Sequence, residues 1–309
     1  NGTLPYIEEY FAFATPTKLL ELTSPDNPLQ KRLAEEAPGT YQHSMAVADM
    51  ASQAASAIGA DALLAKVCAL YHDVGKLKRP EYYTENQQGG PNKHDEKQPV
   101  MSALIITSHV TDGVEMAREY GVPETVTKIM SQHHGKTLVE YFFNKQIEWL
   151  KQNGGGKADE NQFRYKTDKP RTKEAAILLL ADAVEASSRS LDEMNPFKIK
   201  DHVKKIVDKK EEDGQLDDAN LSKREIDKIC DKFVEVIVFA NHKRIKYQNQ
   251  EEAKAKEEKE RMQQNIVEVH AMADEIHEAS KEESSLEENQ NNVSNNLEVK
   301  EDTDGSSNQ

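Results

Sequence analysis

The chain has 309 residues, 37% of them hydrophobic, with a mean hydropathy of −0.80 and a formal net charge of −15. That length bounds it to one large or two modest domains. The acidic balance argues against a nucleic-acid polymer as partner, since such proteins present a basic face, and no apolar run is long enough to span a membrane.

The chain opens Asn1-Gly2-Thr3 rather than with Met, which reads as a piece of something longer with room for a membrane region upstream. Residues 1–37 read as a helical lead-in of the kind that follows a membrane region. Helices start at Thr15-Pro16 and Asn27-Pro28, with proline in the first turn, and Asn27 with Gln30 resembles a capping box. Residues 38–250 read as the main domain. Pro38-Gly39 breaks the chain, Thr40 caps a helix running to Gly59, and Asp61 caps another that runs to Gly75. Further helices are predicted from about Val100 to Tyr120, Pro123 to His134, Thr137 to Gln152, Thr172 to Leu191 and Ser222 to Tyr247. Strand-like alternation is absent, so the expected fold is an all-α helical bundle. Two long loops, Glu85–Gln98 and Asn153–Thr172, read as lids or as surface insertions. Residues 251–309 hold 17 acidic and 6 basic side chains. They read as an acidic tail, helical over 251–285 and disordered over 286–309. Cys68 and Cys230 have no CxxC partner, which fits a reduced, cytoplasmic setting.

Seven side chains of metal-ligand type stand out, most of them on the apolar side of a predicted helix. His43 lines up with Val47, Met50 and Ala54, and His72-Asp73 with Ala69. His109 follows Ile105-Ile106, and His133-His134 follows Ile129-Met130. Asp182 interrupts the run Ala175–Ala181. One inward histidine is usually a satisfied core residue, but seven such groups are hard to explain as packing, because a buried imidazole or carboxylate without a partner is costly. Adjacent helical residues diverge by roughly 100°. Asp73, with two oxygens, is therefore assigned as a bridge between two metals. One is held by His43, His72, Asp73 and Asp182, and the other by Asp73, His109, His133 and His134. Imidazole and carboxylate without thiolate suit Fe or Mn better than a structural Zn site, with Co and Zn remaining open. A paired-metal site implies hydrolysis by an activated water.

The string His72-Asp73-Val74-Gly75-Lys76, with His43 upstream and Asp182 downstream, resembles the HD superfamily of metal-dependent phosphohydrolases. Tyr41-Gln42-His43-Ser44, Ser108-His109-Val110, Gln132-His133-His134-Gly135 and Leu180-Ala181-Asp182-Ala183-Val184-Glu185-Ala186 are similar to the cytoplasmic HD domain of the PgpH-type seven-transmembrane cyclic-di-AMP phosphodiesterases. The likeness runs from about Leu4 to Tyr247. It implies an all-α HD domain, a di-metal centre of iron or manganese, and hydrolysis of cyclic di-AMP to linear pApA. It also implies that the domain follows a membrane region and lies on its cytoplasmic side. Related HD-GYP enzymes carry Gly-Tyr-Pro after the double histidine. Here Gly135 is followed by Lys136-Thr137-Leu138, which disfavours cyclic di-GMP. The segment Phe163-Arg164-Tyr165 continues as Lys166-Thr167-Asp168-Lys169-Pro170, where a Gly/Pro-rich turn is the family expectation.

The expected nucleophile is a hydroxide bridging the two metals at Asp73. Lys76, three residues beyond Asp73, is a candidate catalytic and phosphate-binding residue. Arg189, two turns beyond Asp182, is a candidate for the second phosphate or an adenine. His94 reads as a solvated loop histidine. The alternatives are another HD phosphohydrolase acting on cyclic di-GMP, a linear dinucleotide or a nucleotide, a non-catalytic cyclic-dinucleotide sensor, or a purely structural helical domain. A homo-oligomer is compatible with all of them.

Overall fold

The computed structural model describes residues 14–241, except 88, 90, 190 and 192–194, together with 256, 258–263 and 265. Nearly all regular structure among them is helical, the exception being an isolated antiparallel bridge between Leu138 and Arg164. The expectation of disorder over 286–309 lies outside the described residues. Residues Asn1–Asn241 form one compact unit and His242–Gln309 another, of which the described positions are helical and exposed.

Two short helices, α1 (Pro16–Leu22) and α2 (Pro28–Glu36), lead in. Thr15 and Asn27 cap them from their side chains, and proline fills the first turn of each. The predicted capping box at Asn27 does not form. The Gln30 amide instead donates to the Leu70 carbonyl at 2.9 Å, tying α2 to the core. The next helix, α3 (Pro38–Ile58), starts two residues before the predicted Thr40 cap. Thr40 is buried inside it and donates to Glu85. Gly59 ends α3 at φ 73°, a left-handed cap that glycine adopts without strain.

Asp61 caps α4 (Ala62–Tyr71) as expected, but the helix stops at Tyr71, not Gly75. A 3-10 turn, Val74–Lys78, follows. Then come α5 (Pro99–Glu119), α6 (Glu124–Met130), α7 (Glu140–Gln152), α8 (Lys173–Ser188), α9 (Pro196–Glu212) and a helix over 223–241, here α10. The predicted helix through His134 ends at Met130, and residues 131–136 are turns. No helix was expected over α9. Its buried stripe is only Ile199, Val203 and Val207 within a lysine-rich surface, a weak periodic signal.

The core sits around α8, which is buried continuously from Ala175 to Asp182, as an element packed on all sides must be. Helices α3, α4, α6 and α9 pack against it. The small side chains Ala48, Ala51, Ala54 and Ala55 on α3 are fully or almost fully buried and let α4 and α8 approach closely. Leu19, Leu22, Leu29 and Leu33 of the lead-in belong to this same core.

Candidate metal centre

Five segments converge around Asp182, in the middle of α8. The His72-Asp73 pair emerges where α4 gives way to the 3-10 turn. That turn lies unusually close to α5: a Cβ on Gly75 would stand 1.9 Å from the His109 carbonyl oxygen and 2.4 Å from the Gly113 nitrogen. Only glycine allows this approach, and it brings the His-Asp pair alongside His109. Gly135 follows the double histidine at φ 53°, a left-handed backbone conformation that favours glycine.

Three imidazoles are oriented by one device. Nδ1 of His72 faces the Ala69 carbonyl at 2.7 Å, Nδ1 of His109 faces Ile106 at 2.6 Å, and Nδ1 of His133 faces Met130 at 2.5 Å. A carbonyl can only accept, so Nδ1 carries a proton, and Nε2 of each ring presents a lone pair whenever that ring is neutral, as burial favours for His109 and His133. These lone pairs point at one another: His109 Nε2 and His133 Nε2 are 3.1 Å apart. Two acceptors cannot hydrogen-bond. His72 Nε2 and Asp73 Oδ1 are likewise buried with no hydrogen-bond partner. Orphaned acceptors of this kind, all facing inward, are explained by a cation among them, so the residues present fit a metal. Second-partner hydrogen bonds to Nδ1 are also what fixes the tautomer of a ligating histidine.

Asp73 stands between two groups. Its Oδ2 lies 3.5 Å from His43 Nε2 and 3.2 Å from His72 Nε2, and its Oδ1 lies 3.2 Å from His109 and 3.8 Å from His133. Asp182 Oδ1 is 3.0 Å from His43 and 3.8 Å from His72, while its Oδ2 is 3.5 Å from His134 Nδ1. Ligand atoms fall within 4.8 Å of one another in three sets: His109, His133 and His134; His43, His72 and Asp73; and His72, His133 and Asp182. All seven sequence-derived ligands are therefore in one cluster, and the sets overlap through His72 and His133.

The cluster attracts positive charge. Burial lowers the His72 pKa, but Asp73 and Asp182 outweigh it and hold it up to about 10. Burial together with the charges of His72 and His109 takes His133 down to about 3. Burial alone would raise Asp73, yet His72 and Lys76 keep its carboxyl well below the usual range.

Glu185, not singled out from the sequence, accepts from His43 Nδ1 at 2.5 Å, and Arg189 holds its other oxygen at 2.8 Å. The signal was available, because Glu185 lies one turn beyond Asp182, after the apolar run Ala175–Ala181 of the same helix. Lys76 is no surface lysine. Its Nζ lies 2.7 Å from both Asp73 Oδ2 and Glu85 Oε1, and over the Tyr83 ring. The first long loop thus starts as a wall of the site. The second loop does too: Phe163 is fully buried, and Tyr165 stacks on His134 with centroids 4.2 Å apart. His94 does not reach the cluster. It is buried rather than solvated, with Nε2 donating to the Tyr82 carbonyl and its ring against Phe142.

The cluster opens onto a cavity of about 540 Å³, lined among others by Lys76, Tyr83, Tyr165, Arg189 and Lys210. Lys210 comes from α9, the helix the sequence reading missed.

The HD domain family model matches residues 40–187. The chain is 42% identical over 246 residues to cyclic-di-AMP phosphodiesterase PgpH of Bacillus subtilis, an alignment covering 80% of this chain and 34% of that protein. It spans about a third of the length of the curated relatives it matches. Among solved structures, the HD domain of L. monocytogenes phosphodiesterase PgpH superposes with a TM-score of 0.66 at 40% identity, covering 70% of this chain and 100% of that one. The same domain in complex with cyclic-di-AMP gives a TM-score of 0.65 at 40% identity, covering 70% and 98%.

Proposed function

The chain belongs to the HD domain family, and on that premise we propose that it is a metal-dependent phosphodiesterase that hydrolyses cyclic di-AMP to linear pApA. The observation that carries this reading is the buried cluster of inward-facing imidazole and carboxylate acceptors at the floor of a cavity. It is supported by 40% identity to a domain crystallised with cyclic-di-AMP.

In this reading His43, His72, Asp73 and Asp182 hold one divalent cation, and Asp73, His109, His133 and His134 hold the other, with Fe or Mn the metals best suited to these donors. When bound, such a pair would acidify a water and offset the negative charge of a reacting phosphate. The chain's own groups do the rest. The carbonyl bonds from Nδ1 aim Nε2 of His72, His109 and His133 at the centre, and the proton that Asp73 and Asp182 favour on His72 would give way to a cation there. Glu185 fixes the ring of His43. Lys76, once released by Glu85, donates to a phosphate oxygen, and Arg189 at the cavity rim reaches a second anionic group or stacks on a base. Tyr83 and Tyr165 wall the cluster from bulk water.

No helix among the described residues is long and apolar enough to cross a membrane. Placement of this domain on the cytoplasmic side of an upstream membrane region is part of the proposal and rests on the relatives' greater length.

The test is a product assay on metal-replete protein with cyclic di-AMP, cyclic di-GMP, pApA and dGTP. Formation of pApA from cyclic di-AMP, fastest of the panel, is the expected result. Tight binding of cyclic di-AMP with no product would favour a sensor. Faster turnover of another panel member would make the chain a different HD phosphohydrolase.

A further inference from the structure

Three lysine or arginine side chains line the candidate cavity among the described residues: Lys76, Arg189 and Lys210. Two are already neutralised. Lys76 is held by Asp73 and Glu85, and Arg189 by Glu185. Lys210 differs. The one hydrogen bond of its ammonium among the described residues is donated to Thr137 Oγ1 at 2.9 Å, and no carboxylate there forms an ion pair with it. The nearby acids are engaged elsewhere: Asp182 with His43, Glu140 with Lys209 and Asp213 with Arg164. Burial lowers the Lys210 pKa and outweighs the more distant charges of Asp182, Asp213 and Glu140, as befits an ammonium drawn out of water with no carboxylate in contact.

Its position adds a second argument. A neighbouring cavity of about 470 Å³ shares Thr137, Leu138, Ala183 and Lys210 with the first. The ammonium therefore stands on the wall common to two adjoining spaces. A cation kept partly desolvated and unpaired at such a wall is poised for an anion supplied from outside, because a charge-assisted bond would replace the lost hydration.

We propose that Lys210, oriented by Thr137, binds the phosphodiester that is not being cleaved, so that the site selects substrates with two anionic groups. This rests on the proposed dinucleotide hydrolysis and adds a specificity-determining residue to it. A ligand with a single phosphodiester would engage the metal cluster and leave Lys210 unused.

The experiment compares wild-type protein with Lys210→Met and Lys210→Arg, each metal-loaded. The substrates are cyclic di-AMP and bis-p-nitrophenyl phosphate, which has one phosphodiester. For Lys210→Met the KM for cyclic di-AMP should rise about ten- to a hundredfold, the loss of one charge-assisted bond. Turnover of bis-p-nitrophenyl phosphate and metal content should be unchanged. The melting temperature should hold or rise, since an apolar chain replaces a strained cation. Lys210→Arg should recover most of the KM. An unchanged KM, an equal loss on both substrates, or a Met variant that sheds metal or fails to fold would each overturn the proposal. If the wild type hydrolyses neither substrate, the activity reading fails. Lys210 is then judged by cyclic di-AMP binding: tenfold weaker in Lys210→Met upholds it, and equal affinity ends it.

Discussion

The Nε2 atoms of His109 and His133 stand 3.1 Å apart, each an acceptor because Nδ1 of each ring is committed to a carbonyl. Bringing two lone pairs together in a buried site is unfavourable unless positive charge lies with them. Chelation should therefore destabilise the fold and not only silence it. For a metal present at a thousandfold over its Kd, linkage gives roughly 4 kcal/mol of lost stability. Thermal melts with and without chelator check this. The expected outcome is a drop of several degrees that Mn or Fe reverses, and identical melts would count against a cation at this pair.

Glu185 touches no substrate in this account and acts through His43, whose Nδ1 it meets at 2.5 Å. Glu185→Gln keeps an acceptor but removes the charge that orients and strengthens that imidazole. Metal affinity should fall about ten- to a hundredfold, as for other partners of ligating histidines. Chelator competition reads this directly. Wild-type affinity in the variant would reduce Glu185 to a partner of Arg189.

Lys76→Ala should slow hydrolysis while leaving metal in place, because Lys76 contacts Asp73 without being a ligand. The loss expected is roughly that of a charged hydrogen bond, tenfold or more in kcat/KM. Elemental analysis beside the rate assay separates the outcomes. An unchanged kcat/KM would leave Lys76 as a structural counter-charge to Asp73 and Glu85.

Away from the cluster, burial lowers the His94 pKa from its ordinary value of 6.5. A group whose folded pKa is depressed contributes stability fully above its unfolded pKa, and that contribution fades as pH falls. The protein should therefore lose stability as pH drops below about 6.5, where the unfolded chain takes up a proton that buried His94 resists. His94→Phe, which keeps the packing on Tyr82 and Phe142, should flatten that part of the curve in melts from pH 7 to 5. An equally steep fall in the variant would assign the effect to other groups.

What the sequence made legible follows from which signals are local. The caps at Thr15, Asn27 and Asp61 and the apolar run around Asp182 are short-range patterns, and the helices they mark are present. The seven ligand candidates were readable because buried polar residues on apolar faces are rare enough to stand out together. Less local features were hidden. Helix α9 buries only three residues and brings Lys210 to the site by tertiary packing alone. Gln30 reads as part of a capping box, but its amide has a better partner forty residues away at Leu70. His94 sits in a polar loop, and nothing nearby in sequence announces that Phe142 covers it.

Asp73 is the residue on which the account turns, one oxygen facing His43 and His72 and the other facing His109 and His133. The most direct measurement is metal content per chain after anaerobic purification, for the wild type and for Asp73→Ala. About two equivalents of Fe or Mn in the wild type and almost none in the variant is the result expected of a bridging carboxylate. Two equivalents retained in Asp73→Ala, or none bound by the wild type under metal-replete conditions, would contradict the paired-metal centre.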